Sequence, residues 1–311
     1  MTSEIIFAKL SGSGNDFICV DNRDGRFNDL LGPDRAGDVA QVLCRRGMAV
    51  GADGLIIAEP CEEGIQADIG VRFYEPDGSQ AELCGNGTAC FVRWVVSNGW
   101  LEDREIRILS QAGLVHGRNV DAQYVQVCIP SPKDIQHDFL VQALGQSYTC
   151  DFAVTGVPHV ITYVRDVNQV EVDKLGAALR HHSRFHPRGA NANFVQVIEP
   201  GRLALRTFEF GVEHETLACG TGAAAAAILA GVRFDWPEKH LSGKEPVQVK
   251  TRGGDVMRIY FTRQADGGFI DVCLQTRVRF VYHGRLGPDM LAAISALPPS
   301  GAVHAQHRPE L

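Results

Sequence analysis

A chain that carries one turn-and-helix signature twice, in the same order relative to its neighbours, has little choice but to build two copies of one αβ unit. Glu82-Leu83-Cys84-Gly85-Asn86-Gly87-Thr88-Ala89 and Leu217-Ala218-Cys219-Gly220-Thr221-Gly222-Ala223-Ala224 are such a pair, their cysteines 135 positions apart. Upstream, Phe73-Tyr74-Glu75 matches Thr207-Phe208-Glu209 at a spacing of 134. Downstream, Ile106 to Gly113 and Val127-Cys128-Ile129 are echoed by Val247 to Gly254 and Val272-Cys273-Leu274, at a spacing that has grown to 145. Each cysteine opens a Gly-x-Gly turn followed by helix formers. The first helix is predicted to end at Asn98-Gly99 and the second at Gly231.

The 311 residues suffice for two domains, each with its own core. Apolar content of 45% against 22% charged is that of a globular chain, not a disordered one. A net charge of −7 with no basic cluster argues against a nucleic-acid partner, whose phosphates ask for a basic face. The N-terminus lacks the charge, apolar core and cleavage site of a signal peptide, and the longest apolar run, Ala223 to Val232, is too short to span a membrane. Nine cysteines without framework spacing point to reduced thiols in a cytoplasm.

In chain order, Ile5–Leu10 and Phe17–Asp21 read as strands around a turn at Ser11 to Asp16. Gly12-x-Gly14 is not a dinucleotide loop, because Phe17 stands where the third glycine belongs and no helix follows. Helices are predicted over Arg35–Arg46 and Val172–His181, with strands leading into each cysteine unit. The expected division is 1–129 plus a returning strand at about 276–286, then 130–275, with 298–311 a frayed tail. His181, His182 and His186 cluster, but Pro187 and Gly189 mark a loop and no thiol or carboxylate sits at ligand spacing, so no metal site is predicted.

A cysteine at a helix start lies beside free N–H groups and the positive end of the dipole, which lowers a thiol pKa and attracts anions. Two such units suit racemisation. One thiolate takes an α-proton from one face while the opposite thiol returns a proton to the other, and the amides of both turns hold the α-carboxylate. The other seven cysteines lie in strand or helix patterns and read as small buried hydrophobes.

With these residues in place, the chain resembles the diaminopimelate epimerase family over about residues 5–286. The carriers are Ser13-Gly14-Asn15-Asp16-Phe17, Gly51-Ala52-Asp53-Gly54, Asp77-Gly78-Ser79, Cys84-Gly85-Asn86-Gly87, Pro158-His159, Asn191-Ala192-Asn193-Phe194 and Glu215 to Gly222. The resemblance implies two pseudo-symmetric α/β domains, each a bent mixed sheet wrapped around a central helix. It implies cofactor-independent epimerisation with Cys84 and Cys219 as the acid/base pair and no metal. His159 and Glu209 would support the thiols; Asn15, Gly85, Asn86, Asn191, Gly220 and Thr221 would bind substrate; Tyr282 would lie at a homodimer interface.

Four positions depart from that family, all on the side expected to read the far end of a small amino-acid substrate. Gly54 stands for Gln, Glu75 and Val157 each for Asn, and Phe210 for an Arg that would suit a distal carboxylate. Racemisation of another amino acid, or non-catalytic binding of small carboxylates, is therefore the alternative to diaminopimelate epimerisation. The phenazine-biosynthesis-like isomerases of similar fold are disfavoured, since they lack a cysteine pair.

Overall fold

The computed structural model describes residues 4–61 and 64–297; the expected frayed tail lies outside them. The duplication reappears as topology. In the first half, antiparallel Ile6–Gly12 and Asn15–Asp21 continue through a parallel pair to Gly54–Glu59, then antiparallel to Ile69–Tyr74 and parallel to Ile106–Ser110. Gln146–Thr155, Val157–Tyr163, Asn191–Glu199, Arg202–Phe208 and Val247–Lys250 repeat that sequence of pairings in the second half.

Two long crossing runs join the halves. Tyr124–Cys128 belongs to the first sheet, and the chain then enters the second as Lys133–Ala143. The strand Phe269–Arg285 pairs with Val256–Arg263 at its start and with Ile6–Gly12 at its end. Where the runs cross they are antiparallel neighbours, Cys273 opposite Cys128 and Arg277 opposite Tyr124. The two facing cysteines are joined, Sγ to Sγ, as a disulfide. This corrects the expectation that Cys128 and Cys273 are reduced thiols: strand pairing brings together residues 145 positions apart, which spacing alone does not reveal.

Each sheet wraps one buried helix, Gly85–Ser97 in the first half and Gly220–Arg233 in the second. The first fills its ring with Phe91, Val92, Trp94 and Val95, each worth about 1.5–3 kcal/mol on burial. The second fills it with backbone. Ala223 to Ala230 are all fully buried, so the sheet closes tightly, and an added methylene there would cost about 1–3 kcal/mol by overpacking. Gly231 was expected to stop this helix but lies inside it. A Cβ there would come 3.0 Å from Leu241 and 3.6 Å from Trp236, so the glycine serves a close approach.

Lys133–Ala143 escaped sequence reading because it is mostly polar and exposed, without clean alternation. The helices expected over 35–46 and 172–181 form as Ala36–Leu43 and Val172–Arg180, a normal spread for frayed ends.

Candidate active site

Both central helices begin at one cleft, lined by residues from both halves of the chain. Cys84 (φ −127°, ψ 111°) and Cys219 (φ −121°, ψ 109°) are the residues that cap them, in nearly the same extended backbone conformation. Extended φ/ψ at a cap turns the side chain back over the first turn's free N–H groups. Cys84 Sγ accepts from the Gly87 N–H at 3.4 Å, and Cys219 Sγ lies 3.6 Å from Thr221 Oγ1. Gly222 allows the second turn to pack this closely, because a Cβ there would sit 2.5 Å from Asn193 Oδ1 and 3.3 Å from Cys219 Sγ.

The cleft, about 1080 Å³, is lined by Cys84, Gly85, Asn86, Cys219, Gly220 and Thr221, and also by Asn15, Asn191, Glu75, Glu209, Val157 and Phe210. Asn86 ties the two turns together. Its Nδ2 donates to Asn15 Oδ1 at 2.7 Å and to Ala218 O at 3.3 Å, so the start of one helix is fastened to the approach of the other. Asn191 Oδ1 accepts the Phe210 N–H at 2.6 Å.

Two sequence-selected residues are not in the lining. Gly54 faces Tyr74 O and the Phe17 ring, where a Cβ would meet atoms at 3.0 and 3.2 Å, so here the glycine serves close packing beside the cleft rather than its lining. His159 is fully buried behind the second turn. Its Nε2 pairs with Thr221 Oγ1 at 3.0 Å and its Nδ1 with Asn193 Nδ2 at 3.1 Å. Burial lowers its pKa to about 3, so it stays neutral, and a neutral ring accepting at Nδ1 donates at Nε2. His159 thus orients the Thr221 hydroxyl that faces Cys219.

Both thiols are pushed well above the ordinary range, opposite to the lowering expected from a helix start. Burial is the larger cause for each; neighbouring carboxyls, Glu75 for Cys84 and Glu209 for Cys219, add to it. The N–H groups of Gly87 and Gly222 pull the other way but do not prevail. Burial likewise raises Glu209 to about 7, against hydrogen bonds from Thr216 Oγ1 and the Cys219 thiol, and raises Glu75 to about 8. Thr216, which sequence reading missed, anchors Glu209 at 2.7 Å. On the other side Ala81 holds the matching register position, opposite Phe73 as Thr216 is opposite Thr207.

Of the cluster His181, His182 and His186, two members have other partners, His181 bonding Glu213 at 2.9 Å and His182 Nδ1 accepting from the Arg184 N–H. Among the described residues no group of three or more His, Cys, Asp or Glu is poised around a metal position, and no helix is long and apolar enough to cross a membrane. Tyr282 lies on the returning strand, 44% exposed, edge-on to Phe7 at 6.0 Å.

Two sheet-wrapped helices whose starts share one cleft define a fold class with solved members. A Bacillus anthracis protein of the PhzF phenazine-biosynthesis family superposes with a TM-score of 0.70 at 14% identity, covering 92% of this chain and 99% of its own. A hydroxyproline epimerase from Agrobacterium vitis, solved with trans-4-hydroxy-L-proline, gives 0.69 at 14% identity, covering 92% and 93%. Sequence narrows the class. The diaminopimelate epimerase family model matches residues 7–128 and 152–267. The diaminopimelate epimerase of Aquifex aeolicus is 38% identical over 92% of this chain and 99% of its own, and that of Methanothrix thermoacetophila 35% over 87% and 95%. The chain belongs to the diaminopimelate epimerase family, and its activity is that of an isomerase acting on a small amino acid.

Proposed function

We propose that the chain interconverts LL- and meso-diaminopimelate without a cofactor, using Cys84 and Cys219 as opposed acid and base. The observation that carries this is the pair of cysteines at the N-cap positions of two helices that open on one cleft. One sulfur, as thiolate, removes the α-proton, and the other, as thiol, delivers a proton to the opposite face. The amides of Gly85, Asn86, Gly220 and Thr221 hold the α-carboxylate while negative charge builds beside it. Elevated thiol pKa values suit this work, since a thiolate that is costly to form is a stronger base toward a weakly acidic α-C–H. Glu209, bonded to the Cys219 thiol, and His159, through Thr221, keep that sulfur oriented.

Val157 and Phe210 in the lining favour a second reading, racemisation of an amino acid with a different side chain. Incubating the protein with amino acids in deuterated water decides. The proposal expects α-deuterium in diaminopimelate well ahead of lysine or alanine; exchange confined to another amino acid supports the second reading, and no exchange at all leaves only a binder. A cytoplasmic homodimer through Tyr282, exposed on the returning strand, completes the proposal. Sedimentation at the dimer mass, shifted toward monomer by Tyr282→Ala, is expected; a monomeric parent protein contradicts it.

A further inference from the structure

Phe210 cannot bind a carboxylate, and among the cleft's cations Arg46 is already shared between Asp16 and Asp53. Arg72 is held by Glu59 and the Tyr74 hydroxyl, and Arg206 grips Glu215 with two bonds of 2.6 and 2.7 Å, so neither is free to turn inward. Arg188 differs. It lines the cleft, and among the described residues its guanidinium meets only Glu82, at 3.9 Å, with both side chains more than half exposed. An exposed ion pair of that length contributes ~0–1 kcal/mol, so a better partner displaces it.

The loop that carries Arg188 is built to present it. Arg180, itself nearly buried, donates from Nη1 to the Arg188 carbonyl at 2.9 Å and from Nε to Glu213 at 3.2 Å. Its guanidinium lies 4.2 Å over the Phe210 ring, an arrangement favoured by the ring's electron-rich face. Gly189, at φ +73°, leaves room for this, since a Cβ there would fall 1.8 Å from Arg180 Nη1. Phe210 thus supports Arg180, and Arg180 fastens the main chain of Arg188 while leaving its side chain free beside the cleft. The cleft is otherwise acidic, with Asp53, Glu75, Asp77, Glu82, Glu209 and Glu215 along it. A ligand with a second carboxylate needs a cation there.

We infer that Arg188 binds the substrate's side-chain carboxylate, with Arg180 and Phe210 as its positioning residues, so that this chain reads a dicarboxylic amino acid through a different arginine from the one expected at position 210. The inference rests on the reading under Proposed function.

The test compares parent, Arg188→Ala, Arg188→Lys and Arg180→Ala proteins in diaminopimelate epimerisation, with lysine, which lacks the second carboxylate, as competitive inhibitor. A charged, two-pronged hydrogen bond lost on truncation predicts a KM raised roughly ten- to hundredfold in Arg188→Ala, with KM bearing more of the loss than kcat. Arg188→Lys recovers part of it, as a point charge would, and Arg180→Ala falls between. The inhibition constant for lysine stays within about twofold. An active parent whose KM is unmoved by Arg188→Ala, or whose lysine constant rises equally, overturns the inference alone. A parent without α-proton exchange removes the functional reading as well.

Discussion

Glu75→Gln is the substitution whose effect is most directly worked from the cleft. Burial, with Glu209, Asp77 and Asp53 nearby, raises the Glu75 carboxyl from 4.5 to about 8. In the unfolded chain it ionises above 4.5. Between these values folding must protonate it, and above 8 both states are ionised while the folded one bears the cost of a confined charge. The stability associated with the raised pKa is therefore full below pH 4.5 and lost as pH rises through 8. A rise from 4.5 to about 8 corresponds to about 4–5 kcal/mol, and halving this for water in the open cleft leaves about 2 kcal/mol. Glutamine keeps the shape and drops the charge. Differential scanning calorimetry of ligand-free protein should find the two equal at pH 4, with the variant roughly 4 °C higher at pH 9, at about 2 °C per kcal/mol for a chain this long. A variant that melts with or below the parent at pH 9 would refute the placement of Glu75 as a confined carboxyl beside Cys84.

Three further outcomes follow from the same geometry. Cys84→Ser and Cys219→Ser should each lower kcat for epimerisation by at least about a thousandfold, because an alcohol is a far weaker acid than a thiol and neither sulfur substitutes for the other; coupled assay of both variants checks this. Because burial pushes both thiols up, the thiolate fraction grows with pH, so kcat/KM should climb from pH 6 to 9, and a profile falling across that range would contradict the thiolate as base. Phe210→Arg should leave diaminopimelate kcat/KM unchanged or lower, since it removes Arg180's platform. A tenfold gain would mean that position 210, not 188, is where the far carboxylate belongs.

The duplication was legible because glycine-flanked cysteines punctuate both halves at nearly the same spacing, and local signals of that kind survive in one dimension. The two cysteine turns, with Cys84, Asn86, Cys219 and Thr221, were accessible for the same reason, whereas Asn15, Asn191, Glu75 and Glu209 were singled out as site residues only through the family resemblance. What sequence missed depends on pairing across distance. The Cys128–Cys273 bridge requires knowing that the crossing runs are neighbours. The upward thiol shift requires knowing how little water reaches the turn. Gly54 looked like a selecting position until its neighbours, Phe17 and the Tyr74 carbonyl, were known. Arg188 looked no different from Arg72 or Arg206, which only their partners Glu59 and Glu215 rule out.

The account stands on two sulfurs acting from opposite faces of one α-carbon, and isotopic tracing of the first turnovers tests that most directly. With LL-diaminopimelate in deuterated water, early meso product should carry one α-deuterium at the inverted centre while recovered LL substrate keeps its hydrogen, because the incoming proton comes from a solvent-equilibrated thiol. Early product that retains hydrogen at that centre would show a single base carrying the proton across, and the two-thiol account would be wrong.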